Sequence, residues 1–206
     1  MSGVDLYVAL ALGIGLAAAS GFRVFIPPFL YGLATRFDLN PAAFAGSDMQ
    51  AWMASDVGLT VLGAAVICEL LAYYIPWLDN LLDAIASPAA VLGGMVLMSS
   101  SLGELDPVLR WSTSIIVGGT TSGTVQVSTV GVRALSTAST GGLGNPIVST
   151  VEAGACLVCT VLALLLPVLA MVLVVAGLVL SGRWLLRRRA KKGPDDPALG
   201  SINPQA

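Results

Sequence analysis

Six ionisable residues fall inside, or at the edge of, long apolar stretches: Arg23, Glu69, Asp79, Asp83, Arg133 and Glu152. In hydrocarbon such groups are costly, so each requires a partner, a proton or a task. Glu69 stands seven residues before Pro76 and Asp83 seven after it. If the segments flanking Pro76 form an antiparallel helical hairpin, both carboxylates lie about 10 Å from the turn, at about 1.5 Å per residue, and so at equal depth. Asp79 and Asp83 are spaced i,i+4 and share a helix face. Two adjacent carboxylates do not both ionise cheaply; one holds a proton or a cation neutralises them. Arg23 and Arg133 are the expected cations. This chemistry suits proton or cation coupling along a path. The plainer reading is a buried ion-pair network that fixes helix register, and Asp79 alone also reads as a first-turn acid favoured by the helix dipole. Glu152 is left without a role.

A second set is polar but uncharged. Ser20-Gly21 and Ser122-Gly123 interrupt apolar segments, with Thr124 and Gln126 beside the second pair. A helix broken within a membrane frees backbone donors and acceptors that lipid cannot satisfy, so the break must face protein or a wet cavity. Ser20, Gly21, Ser122 and Gly123 are therefore expected to interrupt helices within the membrane, to lie near one another and to line a substrate or ion path with Glu69, Asp79, Asp83, Arg23 and Arg133. Close helix packing by small residues is the competing reading.

The elements that must position these groups are apolar helices. Of the 206 residues, 56% are hydrophobic and 11% charged, with a mean hydropathy of +0.87. Soluble domains average about 45–50% apolar and about 25% charged, so lipid is the expected solvent. The fold class is all-α: a polytopic membrane protein of about six to eight helical segments. Val57 to Ile75, Leu78 to Met98, Ile147 to Leu166 and Val168 to Leu186 are clear spans. Val4–Ala19, Phe22–Ala34 and the Ser/Thr/Gly-rich Val108–Ala138 are less regular. The apolar start lacks a positive n-region, carries Asp5 and reads as a retained first helix.

Gly63 to Pro76 aligns without gaps on Gly154 to Pro167, with six identities that include Gly63/Gly154, Cys68/Cys159 and Pro76/Pro167. Ser20-Gly21 aligns more weakly with Ser122-Gly123. A duplication follows, with halves at about 4–103 and 104–190 inside a single membrane domain, 1–193. Duplicated halves with interrupted segments suit a transporter-like site. The second half has Thr160, Ala170 and Val174 where the first has Glu69, Asp79 and Asp83, so two equal sites are not expected.

With no histidine and a net charge of −2, the chain lacks the commonest general base and any broad basic surface; neither enzyme activity nor nucleic-acid binding is expected. Cys156 and Cys159 form a CxxC within lipid-type sequence and read, with Cys68, as small packing residues, so no metal or cofactor is expected. Arg187-Arg188-Arg189 and Lys191-Lys192 follow the last span and place the C-terminus in the cytoplasm, with 194–206 a polar disordered tail of a plasma-membrane protein. Membrane lipids are the expected partners, together with an ion or small solute for a channel or transporter; the alternative is a scaffold or partner-binding subunit with structural ion pairs. Oligomeric state stays open.

The stretch Glu69-Leu70-Leu71-Ala72-Tyr73-Tyr74-Ile75-Pro76, followed by Asp79 and Asp83, resembles the pattern E-L-x-A-D-K-(I/V)-P-x-x-D-x-x-x-D of a bacterial membrane family, domain of unknown function 4126. Ser20-Gly21-Phe22-Arg23 with Pro27 is similar to that family's start. The resemblance covers about Val4 to Leu186 and implies architecture, not activity. Tyr73-Tyr74 replaces the family's Asp-Lys, which removes one charge of each sign.

Overall fold

The computed structural model describes residues 3–39, 47–72 and 76–191, without the side chains of 76–84, 184–186 and 188–191. Every regular element among them is helical: α1 (Gly3–Phe22), α2 (Ile26–Arg36), α3 (Asp48–Ala54), α4 (Asp56–Ala72), α5 (Pro76–Ser101), α6 (Pro107–Thr113), a π-helical stretch (Ser114–Gly119), α7 (Thr120–Thr140), α8 (Asn145–Leu165) and α9 (Pro167–Lys191). α6, the π stretch and α7 run on without interruption, so the described chain forms eight separate helical rods. One compact unit comprises Met1–Val174 and a second Val175–Ala206, the boundary falling within α9. The tail beyond Lys191, including the expected disordered segment, lies outside the described residues.

α1 and α8 are each long and apolar enough to cross a membrane. α3 and α4 pass the same test together, bent by 72° at their break, and Ile85–Ser101 and Pro167–Arg183 are shorter apolar stretches.

The local signals are conventional. Asp106 caps α6 by accepting from the Val108 and Leu109 N–H groups, and Pro107 follows where a missing N–H costs nothing. Ser47 caps α3 by accepting from Gln50 N–H. α7 stops at Gly141, whose φ of 64° is the left-handed conformation that glycine adopts without strain. α8 stops before Pro167, because a residue preceding proline disfavours helical geometry.

α1 is the hub. It packs against α5, α7 and α8, and Ala9, Ala11, Gly13, Gly15, Ala17, Ala18, Ala19 and Gly21 are all buried along it. Small residues let the backbones close: a Cβ at Gly15 would stand 2.6 Å from the Ala163 Cβ, and one at Gly21 2.5 Å from the Ser122 carbonyl oxygen. Ile26 and Leu30 share a cluster with Ala19 and Phe22, whereas Tyr31 and Ala34 share one with Leu12 and Leu16. α2 therefore folds back along the direction of α1, with the bend at residues 23–25.

The breaks differ from those expected. Ser20-Gly21 lies in the last turn of α1, and the interruption falls at Arg23–Phe25. Its cause is Pro27-Pro28: two rings that donate no N–H and clash with the preceding turn cannot sit inside a continuing helix. Ser122-Gly123 interrupts nothing; both residues are in the first turn of α7, which continues from the π stretch. No proline follows them to force a break. The interruption expected at Ser122-Gly123, to match the one at Ser20-Gly21, is thus absent, and the duplication gains no support from topology.

Candidate functional site

The bend at Arg23–Phe25 is the place where the backbone most needs partners. A helix start leaves its first N–H groups without intrahelical acceptors. Pro27 and Pro28 remove two of them. Glu69, in the last turn of α4, binds two N–H groups of the bend itself: the Val24 N–H donates to Oε1 at 2.9 Å and the N-cap Phe25 N–H to Oε2 at 3.2 Å. Glu69 is buried, and a carboxylate at the positive end of α2 is also favoured by the helix dipole. α4 thus supplies, across 44 residues of sequence, the cap that Phe25 cannot.

The second centre lies between α7 and α8. Arg133 grips Glu152: its Nε donates to Oε1 at 3.2 Å and to Oε2 at 3.0 Å, and its Nη2 also donates to Oε2. Arg23, buried at the bend, places its Nη2 3.8 Å from the Glu152 Oε2, and the same nitrogen donates to the Ser149 carbonyl at 2.7 Å and to the Ser149 hydroxyl at 2.5 Å. Glu152 therefore bridges two guanidiniums, one from the bend after α1 and one from α7. Both arginines are also within electrostatic reach of Glu69. Among the described side chains, the buried charge-bearing groups are Arg23, Arg133, Glu69 and Glu152, two of each sign.

A third feature is a hydroxyl seam joining α1, α5 and α7. Ser20 Oγ donates to the Ala90 carbonyl at 3.4 Å and Ser122 Oγ donates to the same carbonyl at 2.5 Å. Gln126 reaches Ser87 Oγ at 3.5 Å. On the far side of α1, the thiols of Cys156 and Cys159 point to the carbonyls of Ala19 at 3.3 Å and Gly15 at 3.6 Å. The CxxC is spent on helix contact.

Two clefts border the charged centres. One, of about 590 Å³, opens between α4 and α5 and is walled by Val24, Phe25, Ala65, Cys68, Leu71, Ile85 and Ala89, with Glu69 at its inner end. The other, of about 340 Å³, lies between α7 and α8 and is walled by Phe22, Thr129, Val132, Val148 and Val151, with Glu152 at its wall.

Of the residues expected to form one site, Ser20, Gly21 and Ser122 meet at the Ala90 carbonyl and the α1–α7 contact, while Gly123 lies against Val91, a Cβ there standing 3.3 Å from a valine methyl. Arg23 and Arg133 both reach Glu152, and both stand within electrostatic reach of Glu69. Asp79 and Asp83 lie in the first part of α5, but their side chains, and so the expected Glu69–Asp83 pairing, fall outside the described residues. Glu152 was the residue without a role, yet its position was readable. Arg133 lies eight residues before Gly141 and Glu152 eight after Gly144, so the two are equidistant from that turn. Residues equidistant from a tight turn between antiparallel helices lie at equal depth, at a glycine turn as at a proline one.

A family described as Domain of unknown function (DUF4126) matches residues 10–188. No curated protein matches the chain, and no solved structure does.

Proposed function

The chain belongs to the DUF4126 family, a domain of unknown function that brings no activity with it, and from its own geometry we propose that it is a multi-pass plasma-membrane protein that holds an apolar partner in lateral clefts. Its buried charges serve as structural locks. The observation that carries this reading is the engagement of both buried carboxylates by the chain itself, Glu152 by two guanidiniums and Glu69 by two peptide N–H groups, beside clefts whose walls are mainly apolar. In each, both carboxylate oxygens accept from the chain itself, as structural locks require. The membrane setting is supported by the outward apolar faces of α4 (Val57, Val61, Ile67, Leu71), α7 (Val127, Leu135) and α8 (Ile147, Val151, Val158), all exposed, which in water would form patches far larger than soluble monomers present. The basic run Arg187–Lys192 supports a cytoplasmic C-terminus.

A second reading, a small channel or transporter, draws on the hydroxyl seam at Ser20, Ser122 and Gln126, which is polar and buried. One experiment separates the two. Purified protein in liposomes is assayed for fluxes of protons, alkali cations, halides and small neutral solutes. Background permeability throughout is the expected result; a flux lost in Ser122→Val would establish transport instead.

A further inference from the structure

We propose that the basic end of α9 gathers anionic phospholipids around it through their phosphate headgroups, an inference that rests on the membrane setting proposed above. The first argument is charge. α9 carries five of the chain's ten Lys and Arg residues, Arg183, Arg187, Arg188, Arg189 and Lys191, and no Asp or Glu. Arginines elsewhere are engaged within the fold: Arg23 and Arg133 reach Glu152, and Arg36 meets Asp56 at 2.6 Å. Arg183 and Arg187 are exposed, and among the described residues nothing pairs with either. Asp195 and Asp196, the next acidic residues along the chain, number two against five. The second argument is position. Arg183 closes the apolar stretch Pro167–Arg183, and the helix runs on to Lys191, about 12 Å further at about 1.5 Å per residue. The headgroup zone on each side of the hydrocarbon is roughly 5–8 Å deep, so the basic positions start at its floor and pass through it. The third argument is register. Positions 187, 188 and 189 follow one another at about 100° around the axis, so the basic positions ring the helix instead of marking one face. An acidic partner helix would meet a single face. A ring matches phosphates arriving from the surrounding leaflet, where each Lys or Arg close to an anionic surface adds to the attraction.

The test uses the purified full chain in phosphatidylcholine vesicles with identical leaflets, so that orientation does not matter. Phosphatidylglycerol or phosphatidylcholine, spin-labelled near the end of one acyl chain, is added in trace, and the ratio of motionally restricted to free label gives the protein's relative affinity for each. The anionic probe is expected to be favoured about threefold at about 0.1 M sodium chloride. The preference should fall toward parity at about 1 M, where the Debye length shrinks from about 10 Å to about 3 Å. Arg187→Gln with Arg188→Gln and Arg189→Gln should bring the ratio near parity, while Lys at the same three positions should keep the preference. Glycerol 3-phosphate at millimolar concentration should leave it unchanged; its loss there would identify a soluble phosphate as the ligand and overturn the lipid assignment. Parity in the parent, a preference insensitive to salt, or one that survives the Gln substitutions or disappears with Lys overturns the inference, and the salt arm decides even if a variant fails to fold. Restricted label without preference defeats this inference alone, whereas no restricted label with either probe defeats the membrane setting as well.

Discussion

At the scale of single residues, the strongest contributions come from Glu152 and its two arginines. Removing one member of a buried ion pair leaves an uncompensated charge, a loss of about 3–5 kcal/mol. Hydrogen bonds between membrane helices average only about 0.6 kcal/mol. Glu152→Gln should therefore lower the thermal unfolding temperature in detergent far more than Ser122→Ala, although Ser122 is the more deeply buried of the two. Glu152→Gln with Arg133→Met should recover part of the loss, because it removes the stranded guanidinium. An additive double variant would show that Arg133 and Glu152 do not act as a pair. The identities of the buried charges were legible from the sequence, since Arg23, Glu69, Arg133 and Glu152 all stand in apolar runs. Their pairing was not. Depth follows from distance to a turn, but which of several helices at one depth lie side by side is set by packing, and α1 brings Arg23 to α8 while α4 carries Glu69 to the bend.

At the scale of elements, α1 shows why the chain uses so many small residues. A helix enclosed on several sides approaches its neighbours only as closely as its side chains permit. Gly15 faces Ala163 and Ala170 closely, whereas Gly154 on α8 has nothing within 4 Å of an added Cβ. Gly15→Leu should separate α1 from α8 and abolish folding as judged by monodisperse elution in detergent; Gly154→Leu should elute and melt like the parent. If both were tolerated, close approach at α1 would not be what holds the bundle. These two glycines look alike as letters. Ser20-Gly21 and Ser122-Gly123 also look alike, yet only the first lies beside a break, because Pro27-Pro28 acts on one segment and no proline acts on the other. The break is a property of the prolines, and Glu69 makes it tolerable by binding the N–H groups it exposes.

At the scale of the whole molecule, the apolar outward faces and the basic run at the end of α9 support the proposed membrane setting. A reporter fused after residue 206 should be active only in the cytoplasmic compartment; activity on the opposite side would reverse the topology. Neutralising Arg187, Arg188 and Arg189 together should weaken that orientation and yield a mixed population, since the bias comes from positive charge near a span. Among the described side chains, the buried charge-bearing groups are two arginines and two glutamates. That is the arrangement expected of a fold whose charges hold helices in register.

The sequence by itself determined the all-helical class. Its composition and long apolar runs point to helices, the form in which a backbone meets its own polar groups within one segment. It also determined the helix boundaries near Asp106-Pro107, Gly141 and Pro167, where capping and φ restriction are local effects; the first break, expected at Ser20-Gly21, falls just before Pro27-Pro28 instead. The tertiary structure decided which charges meet, that α2 folds back instead of continuing, and that Glu69 serves as a distant cap. Those outcomes depend on how closely helices approach and on their rotation about their axes. Both are fixed by side-chain fit between segments distant in the chain, Gly15 against Ala163 and Gly21 against Ser122, and no window of sequence contains both sides of such a contact.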